Sequence, residues 1–296
     1  MNGIIDAHHH VWRQADLPWL SGPMVPRIFG PYEPLRRDYL IGEYLADAKP
    51  NSVTRSVYVQ ANWPAARALD EIAWVQSVAD ASGWPHGIVG YVDLLAEDCT
   101  PALDAAMKAS PLLRGMRMQL HWHENELYRF APRPDLSDDP KLQKNLARLA
   151  ERGLLFELQV FTPQMESAAR LARSLPNLQF VLMHAGMLED TSAKGLAEWR
   201  AGMDTLAACP NIATKLSGFG TFLHRIDAEY FVLVAGETVR RFGAKRCLFG
   251  SNFPIEKLWT DYGTLLGAYQ TALVKFTDAD RTQIFSETAR RIYRLK

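Results

Sequence analysis

The chain has 296 residues, of which 48% are hydrophobic and 22% are charged, and 33 Lys and Arg residues balance 33 Asp and Glu residues. This composition is typical of globular proteins, and a neutral balance without a basic cluster predicts no nucleic-acid partner. The chain starts with neither a basic segment nor a long apolar segment, which predicts a cytoplasmic protein without a membrane partner. Three widely separated cysteines, Cys99, Cys209 and Cys247, are expected to be reduced and structural.

Short runs of β-branched and aliphatic residues alternate along the whole chain with longer stretches of helical periodicity. This alternation predicts βα units around a parallel sheet. The expected strands are Gly3–His8, Arg55–Gln60, Gly87–Val92, Leu113–Gln119, Leu154–Val160, Gln179–His184, Asn211–Leu216 and Arg246–Gly250. The clearest expected helices are Ala65–Ala81, Lys141–Glu151, Gln164–Ser174, Ala228–Phe242 and Asp278–Arg294.

Eight strands in a chain of this length predict an α/β fold, a single parallel (β/α)8 TIM-type barrel that occupies residues 1–296 as one domain. A doubly wound sheet is the main alternative, but the first strand runs into histidines rather than into a glycine-rich phosphate turn. Two long loops, His9–Asp38 and His121–Asp139, follow strands on the expected catalytic face. Loops of this length in a compact domain are commonly functional.

Histidines end two of the predicted strands. Alternation along the first strand places Asp6, His8 and His10 on one face, where a single ion could bridge the two imidazoles. His184 closes the apolar run Phe180–Met183 and is expected to face the same barrel mouth. The alternative for each is a structural histidine that forms hydrogen bonds in the core.

The eighth strand is followed by a polar residue of unusual chemistry for a hydrolytic site. Asn252 shares the parity of Leu248 and Gly250, so its amide is expected to face the barrel axis. A carboxylate there could take a proton from water, but an amide cannot. Glu256 either reaches back towards Asn252 as a base or lies exposed at the start of a helix.

Further polar residues near the predicted strand ends are candidates for substrate binding. His121 and His123 form a second HxH pair after strand four, or else belong to a loop surface. Lys215 is expected to bind an anionic group if it is buried, and otherwise to extend to the barrel rim. Gln60 ends strand two and could add a hydrogen bond.

Six segments, IIDAHHHVW, LLRGMRMQ, FVLMHAG, IATKLSG, RCLFGSNFP and SETARRIYRL, follow one another between Ile4 and Leu295. Together they resemble the amidohydrolase superfamily, and more narrowly the branch with 2-pyrone-4,6-dicarboxylate lactonase and the L-fucono- and L-rhamnonolactonases. The resemblance implies a (β/α)8 barrel that hydrolyses a lactone ring. It also implies that His8, His10 and His184 line the reaction centre and that Arg117 contacts a substrate carboxylate or oxygen.

The sequence departs from this pattern at Asn252, where the superfamily usually has an Asp that activates water. Gln159 and Lys215 stand where other branches have bridging metal ligands, so Gln159 is a substrate-binding candidate together with Lys215. The resemblance therefore implies either no cofactor or one divalent metal, zinc or manganese, on His8, His10 and His184. It does not imply a binuclear centre.

The leading expectation is a hydrolase that opens a small, anionic lactone, derived either from a sugar acid or from aromatic breakdown. One alternative is a decarboxylase or hydratase of a small aromatic or unsaturated acid. Another is a catalytically silent barrel that binds a small carboxylate or a protein, which Asn252 favours because it lacks basicity. The sequence leaves open which lactone is used and whether the chain forms a homo-oligomer.

Overall fold

Eight parallel strands form one sheet in sequential order in the computed structural model, which describes residues 3–296. The sheet closes through two backbone hydrogen bonds of 2.8 Å. The backbone N–H of Asn252 donates to the His8 carbonyl, and the backbone N–H of His10 donates to the Phe253 carbonyl. The closed (β/α)8 barrel confirms the predicted fold and excludes the doubly wound sheet. The strands are β1 (Ile4–His9), β2 (Val53–Val59), β3 (Gly87–Gly90), β4 (Leu113–Arg117), β5 (Leu155–Leu158), β6 (Phe180–Leu182), β7 (Ile212–Leu216) and β8 (Cys247–Phe249).

Helices surround this barrel and cover its outer face. They are α1 (Pro18–Ser21), α2 (Ile41–Ala48), α3 (Ala68–Ser82), α4 (Thr100–Ala109), α5 (Pro140–Glu151), α6 (Met165–Ser174), α7 (Ala193–Ala207), α8 (Ala228–Phe242), α9 (Tyr262–Ala272), α10 (Asp278–Thr282) and α11 (Thr288–Ile292). The predicted helix Asp278–Arg294 is interrupted, because a π-helical turn at Gln283–Glu287 separates α10 from α11. Across the described residues, no helix has the length and apolar character needed to cross a membrane.

The apolar core has two layers. The larger layer lies between the strands and the helices, and the smaller one fills the barrel interior. Ile292 and Tyr293, near the end of the chain, pack with the interior residues Leu155, Val181 and Leu248. The C-terminal segment therefore covers the interior at the end of the barrel opposite the predicted site.

Several strands end earlier in the structure than the sequence predicts. The predicted strand Leu154–Val160 corresponds to β5 at Leu155–Leu158, so Gln159 follows the strand instead of lying in it. Side chains at these strand ends are directed by loop backbone rather than by ladder pairing. Residues 1 and 2, which belong to the segment used to predict localisation, lie outside the described residues.

Candidate active site

Three histidines predicted from separate strands lie together at the C-terminal end of the barrel. The Nε2 atoms of His8 and His10 are 3.2 Å apart, and the ring centroids of His8 and His184 are separated by 5.0 Å. All three side chains are buried or half-buried. The structure thus brings the first strand and the sixth strand end to one imidazole cluster.

The face assigned to Asp6 was wrong. The pairing of β1 with β2 shifts register between Asp6 and His9, which breaks the alternation on which the prediction depended. Asp6 consequently accepts hydrogen bonds from the hydroxyls of Tyr44 and Tyr262, on α2 and α9, at 3.0 Å each. It also accepts bonds from the Ser251 amide and hydroxyl at 2.8 and 2.6 Å. Asp6 therefore joins β1 to the segment after β8 instead of entering the cluster.

His184 lies in a strained turn. His184, Ala185, Gly186 and Met187 all have positive φ, with φ of 51° at His184 itself. Such a run is costly for residues other than glycine and is typical of functional sites. A Cβ at Gly218 would lie 2.5 Å from His184 Nδ1, so this position must lack a side chain for the imidazole to fit.

The imidazoles are held in defined orientations and are neutral. His10 Nδ1 lies 2.7 Å from the Val59 carbonyl oxygen and must donate to it, which leaves Nε2 as an acceptor. His184 Nδ1 lies 2.8 Å from the Ser217 hydroxyl. Burial lowers the pKa of His8 and His10, and burial together with nearby Arg117 lowers the pKa of His184 to about 3.

A cavity of about 200 Å³ opens over this cluster. Six predicted site residues line it: His10, Arg117, His121, Gln159, His184 and Asn252. The other predicted site residues, His8, Gln60, His123 and Lys215, lie outside its lining. Aromatic side chains form much of its wall: Trp12, Trp19, Phe29, Tyr128, Phe130 and Phe222.

Arg117 is the buried cation of the cavity floor. It is 5% exposed, one of its terminal amino groups donates to the Gln60 carbonyl, and its Nε has no partner among residues 3–296. No carboxylate within the described chain lies close enough to form an ion pair with it. Gln60 instead donates to the Gln119 side chain at 3.2 Å, so it supports the floor from behind.

Lys215 has a different partner from the substrate group that we expected. It is fully buried, and its Nζ lies 2.6 Å from Oε1 of Glu157 on β5. The same Glu157 oxygen accepts a bond from the Tyr293 hydroxyl at 2.7 Å. Burial lowers the pKa of Lys215, and the Glu157 carboxylate opposes that shift. Lys215 therefore belongs to an ion pair inside the barrel rather than to the cavity surface.

The two histidines of the second HxH pair, His121 and His123, lie in different environments. His121 is buried in the cavity lining, and burial lowers its pKa to about 3. His123 lies on the loop outside the cavity, where its Nε2 is 3.5 Å from Glu189. His121 is thus available to substrate, whereas His123 connects two loops.

Asn252 lines the cavity from a tight turn. Its φ is 58°, a conformation that Asn tolerates better than most residues, and its carbonyl accepts bonds from the Ile255 and Glu256 amides. Glu256 is fully buried, so its expected exposure at a helix start was wrong. Its carboxylate accepts from Trp259 Nε1 at 2.9 Å, and burial raises its pKa to about 8.

The raised pKa of Glu256 predicts a loss of stability with rising pH. The unfolded carboxyl ionises near 4.5 and the folded one near 8, so the stabilisation is complete below pH 4.5 and falls as pH rises to 8. We expect the Glu256→Gln variant to lose less Tm than the parent between pH 5 and pH 8. Part of the fall of Tm with rising pH should remain in this variant, because burial also raises the pKa of Glu71 to about 7. If the Tm of Glu256→Gln falls with rising pH as steeply as the Tm of the parent and of the surface variant Glu198→Gln, the raised pKa of Glu256 is contradicted.

The side chains at the histidine cluster do not fit a metal centre. Two imidazole nitrogens on a tetrahedral zinc stand roughly 3.4 Å apart, which the His8–His10 distance approaches. However, no group of three His, Cys, Asp or Glu side chains in residues 3–296 is placed to share an ion, and His184 does not complete one. Asn252 supplies only a neutral amide, and the positive charges of Arg117 and Lys215 act on His8.

Treatment with a chelator tests this conclusion. We expect dialysis against EDTA to change kcat/KM for the best substrate by less than about twofold, because no residue of the cluster depends on a Lewis acid for its position. The measurement compares dialysed protein with and without added zinc or manganese. A large loss that either ion restores would place a metal on His8 and His10 after all.

Sequence reasoning missed several residues of the site. Glu157 was overlooked although it is an acidic residue in the otherwise apolar run Leu154–Leu158, which is a usable signal for a buried partner. Asn62 and Thr221 line the cavity from loops, where alternation gives no direction. Arg27 lines it from the long first loop and had no distinguishing pattern.

Comparison with known proteins identifies the family of this chain. A family model described as Amidohydrolase matches residues 5–295. The chain is 35% identical to the uncharacterized protein y4mH of Sinorhizobium fredii, over 99% of this chain and 98% of that protein. It is 28% identical to an L-fucono-1,5-lactonase of Burkholderia ambifaria, over 98% and 95% of the two chains. A Burkholderia multivorans amidohydrolase solved with bound zinc is 27% identical, with a TM-score of 0.82 over 99% of both chains. This chain therefore belongs to the amidohydrolase family.

Proposed function

We propose that this chain hydrolyses the ester bond of a small lactone derived from a hydroxylated acid. The observation that supports this most strongly is that neutral imidazoles, His10 and His184, line one cavity with the unpaired guanidinium of Arg117. Similarity to L-fucono-1,5-lactonases of two Burkholderia species over almost the whole chain favours the same reaction.

The cavity lining suits a hydroxylated ring. Amide and hydroxyl side chains from five loops supply neutral donors and acceptors: Asn62, Gln119, Gln159, Thr221 and Asn252. Aromatic walls offer flat apolar surfaces against which a ring can pack. Such a mixture binds a molecule with several hydroxyl groups better than it binds a planar hydrocarbon.

The proposed reaction is attack of water on the lactone carbonyl. Arg117 stabilises the oxyanion that forms, since its Nε and terminal amino groups are charged donors in a buried position. The proton lost by water passes to the Nε2 of His10 or His184 and then to the departing ring oxygen, which becomes the hydroxyl of the opened acid. Asn252 hydrogen-bonds water or substrate but does not act as the base.

A lactone panel assayed by acid release tests the proposal. The panel contains 1,4- and 1,5-lactones of sugar acids and carboxylated lactones, and we expect at least one sugar-acid lactone to be opened catalytically. His184→Gln should abolish that turnover. Aromatic and unsaturated acids, assayed for release of CO2 or for hydration, cover the lyase alternative. A chain that opens no lactone but still binds one would be a silent binding barrel instead.

A further inference from the structure

The cavity carries more positive than negative charge. Three arginines, Arg27, Arg117 and Arg129, line it, whereas Glu126 is the one carboxylate among the described lining residues. The Glu126 side chain is 89% exposed and lies 3.8 Å from Arg129, so it neutralises little. This surplus of charge favours an anionic ligand.

Arg129 is already used by the protein. Its Nε donates to the His123 carbonyl and one amino group donates to the Glu124 carbonyl, each at 3.0 Å. Its guanidinium also lies 4.9 Å from the centroid of Trp122. These contacts tie Arg129 to its own loop and to Glu126, whereas Arg117 and Arg27 form no ion pair with any of residues 3–296.

Arg27 is the second of these and lies apart from the reaction centre, on the long loop between β1 and α2. It has no carboxylate within 4.0 Å and no hydrogen-bond acceptor among residues 3–296, and its Nε is buried without a partner. Its guanidinium lies over the Trp19 ring, with Cζ 5.7 Å from the ring centroid. A cation–π contact leaves the N–H donors of the guanidinium unsatisfied. These donors point outwards in the plane of the guanidinium, where they can bind an anion.

Arg27 is held in place by a packed aromatic platform. Trp19 Nε1 donates to the Ala61 carbonyl at 3.0 Å, and the Trp19 ring packs against Phe29 and Tyr32. Because the ring is fixed, the guanidinium above it has a defined position at the cavity wall. A positioned, unpaired guanidinium is typical of recognition of carboxylate or phosphate.

We propose that Arg27 binds an anionic group at the end of the substrate remote from the lactone carbonyl. The inference rests on the proposed lactone hydrolysis and narrows its substrate to a hydroxylated lactone with a terminal carboxylate or phosphate. Arg117 binds the reacting carbonyl oxygen, while Arg27 binds the remote charge. The substrate class is thus the lactones of sugar diacids or of phosphorylated sugar acids, rather than neutral sugar lactones.

The test compares three lactones of one hexose ring, with a hydroxyl, a carboxylate or a phosphate at the sixth carbon. We expect the parent chain to prefer a charged lactone by roughly tenfold or more in kcat/KM, mainly through KM, because the ion pair forms in ground and transition states alike. Arg27→Gln should abolish this preference and Arg27→Lys should retain part of it. Arg225→Gln removes an equal charge from an exposed site and should leave the preference intact. The better of the two charged lactones identifies the anion as carboxylate or phosphate.

Equilibrium binding separates this inference from the proposed function. Calorimetry with the open-chain hexaric acid, a dicarboxylate, and the hexonic acid, a monocarboxylate, needs no turnover. We expect the parent to bind the dicarboxylate more tightly and Arg27→Gln to bind the two equally. If lactones are opened but Arg27→Gln changes neither ratio, Arg27 has no such role and the lactonase proposal stands. If no lactone is opened yet the dicarboxylate preference depends on Arg27, the lactonase proposal fails alone.

Discussion

A Lys215→Met variant is expected to unfold roughly 5–15 °C below the parent chain. Breaking a buried ion pair by removing one partner costs about 3–5 kcal/mol, because the other charge is left buried without compensation. Lys215 and Glu157 are both fully buried and lie 2.6 Å apart.

Two further variants make this test specific. Lys194 forms a surface ion pair with Glu198 at 2.9 Å, and its side chain is 80% exposed, so Lys194→Met should change Tm by no more than 1–2 °C, roughly. The double variant Lys215→Met with Glu157→Leu should recover part of the stability, because neither charge of the pair is left buried alone, although the Tyr293 hydroxyl loses its acceptor. Equal Tm losses for Lys215→Met and Lys194→Met would show that the buried pair contributes little.

Arg117→Met is expected to lower kcat/KM for the best lactone by about 100- to 1000-fold, a loss typical of removing an oxyanion donor. The effect should lie mainly in kcat, because the charge on the carbonyl oxygen develops in the transition state. Met keeps the apolar volume of the side chain but removes the hydrogen bond to the Gln60 carbonyl, whereas the bond between the Gln60 and Gln119 side chains does not involve the guanidinium. Steady-state kinetics and circular dichroism of the variant provide the measurement.

Arg114 is a matched control on the same strand. Its guanidinium donates to the carbonyls of Tyr293, Pro111 and Leu113, away from the cavity. Arg114→Met should therefore reduce stability more than kcat. A higher KM for Arg117→Met with unchanged kcat would assign Arg117 to a substrate carboxylate rather than to the reacting carbonyl.

The fold was largely predictable because short runs rich in β-branched and aliphatic residues alternate with longer stretches of helical periodicity. β6 illustrates this, since Phe180–Leu182 is fully buried and only Met183 separates it from His184. The break at Gln283–Glu287 was not predictable, because π-helical and α-helical turns share nearly the same pattern of apolar residues.

The site was predictable in its strand-end residues and less so elsewhere. Alternation failed at Asp6, where one shift in register reversed the face of the side chain. The partner of Lys215 was missed because Glu157 is 58 residues distant in sequence and is brought near only by barrel closure. Glu256 resembled a solvent-exposed residue of a helix start, although the turn after Asn252 directs it inwards. In each case tertiary contacts, which no local pattern encodes, determined the outcome.

The packing of Tyr293 against the barrel interior has a consequence for biosynthesis. Translation proceeds from the N-terminus, so all eight strands have been made before Ala289–Leu295 leave the ribosome. Until then Glu157 lacks its tyrosine hydroxyl, and the interior residues Leu155 and Leu248 lack their apolar cover. Until those residues are made, a nascent barrel therefore exposes apolar surface and an incompletely hydrogen-bonded carboxylate to solvent or to chaperones. Completion of the barrel interior therefore waits for Ala289–Leu295, which follow every strand in the chain.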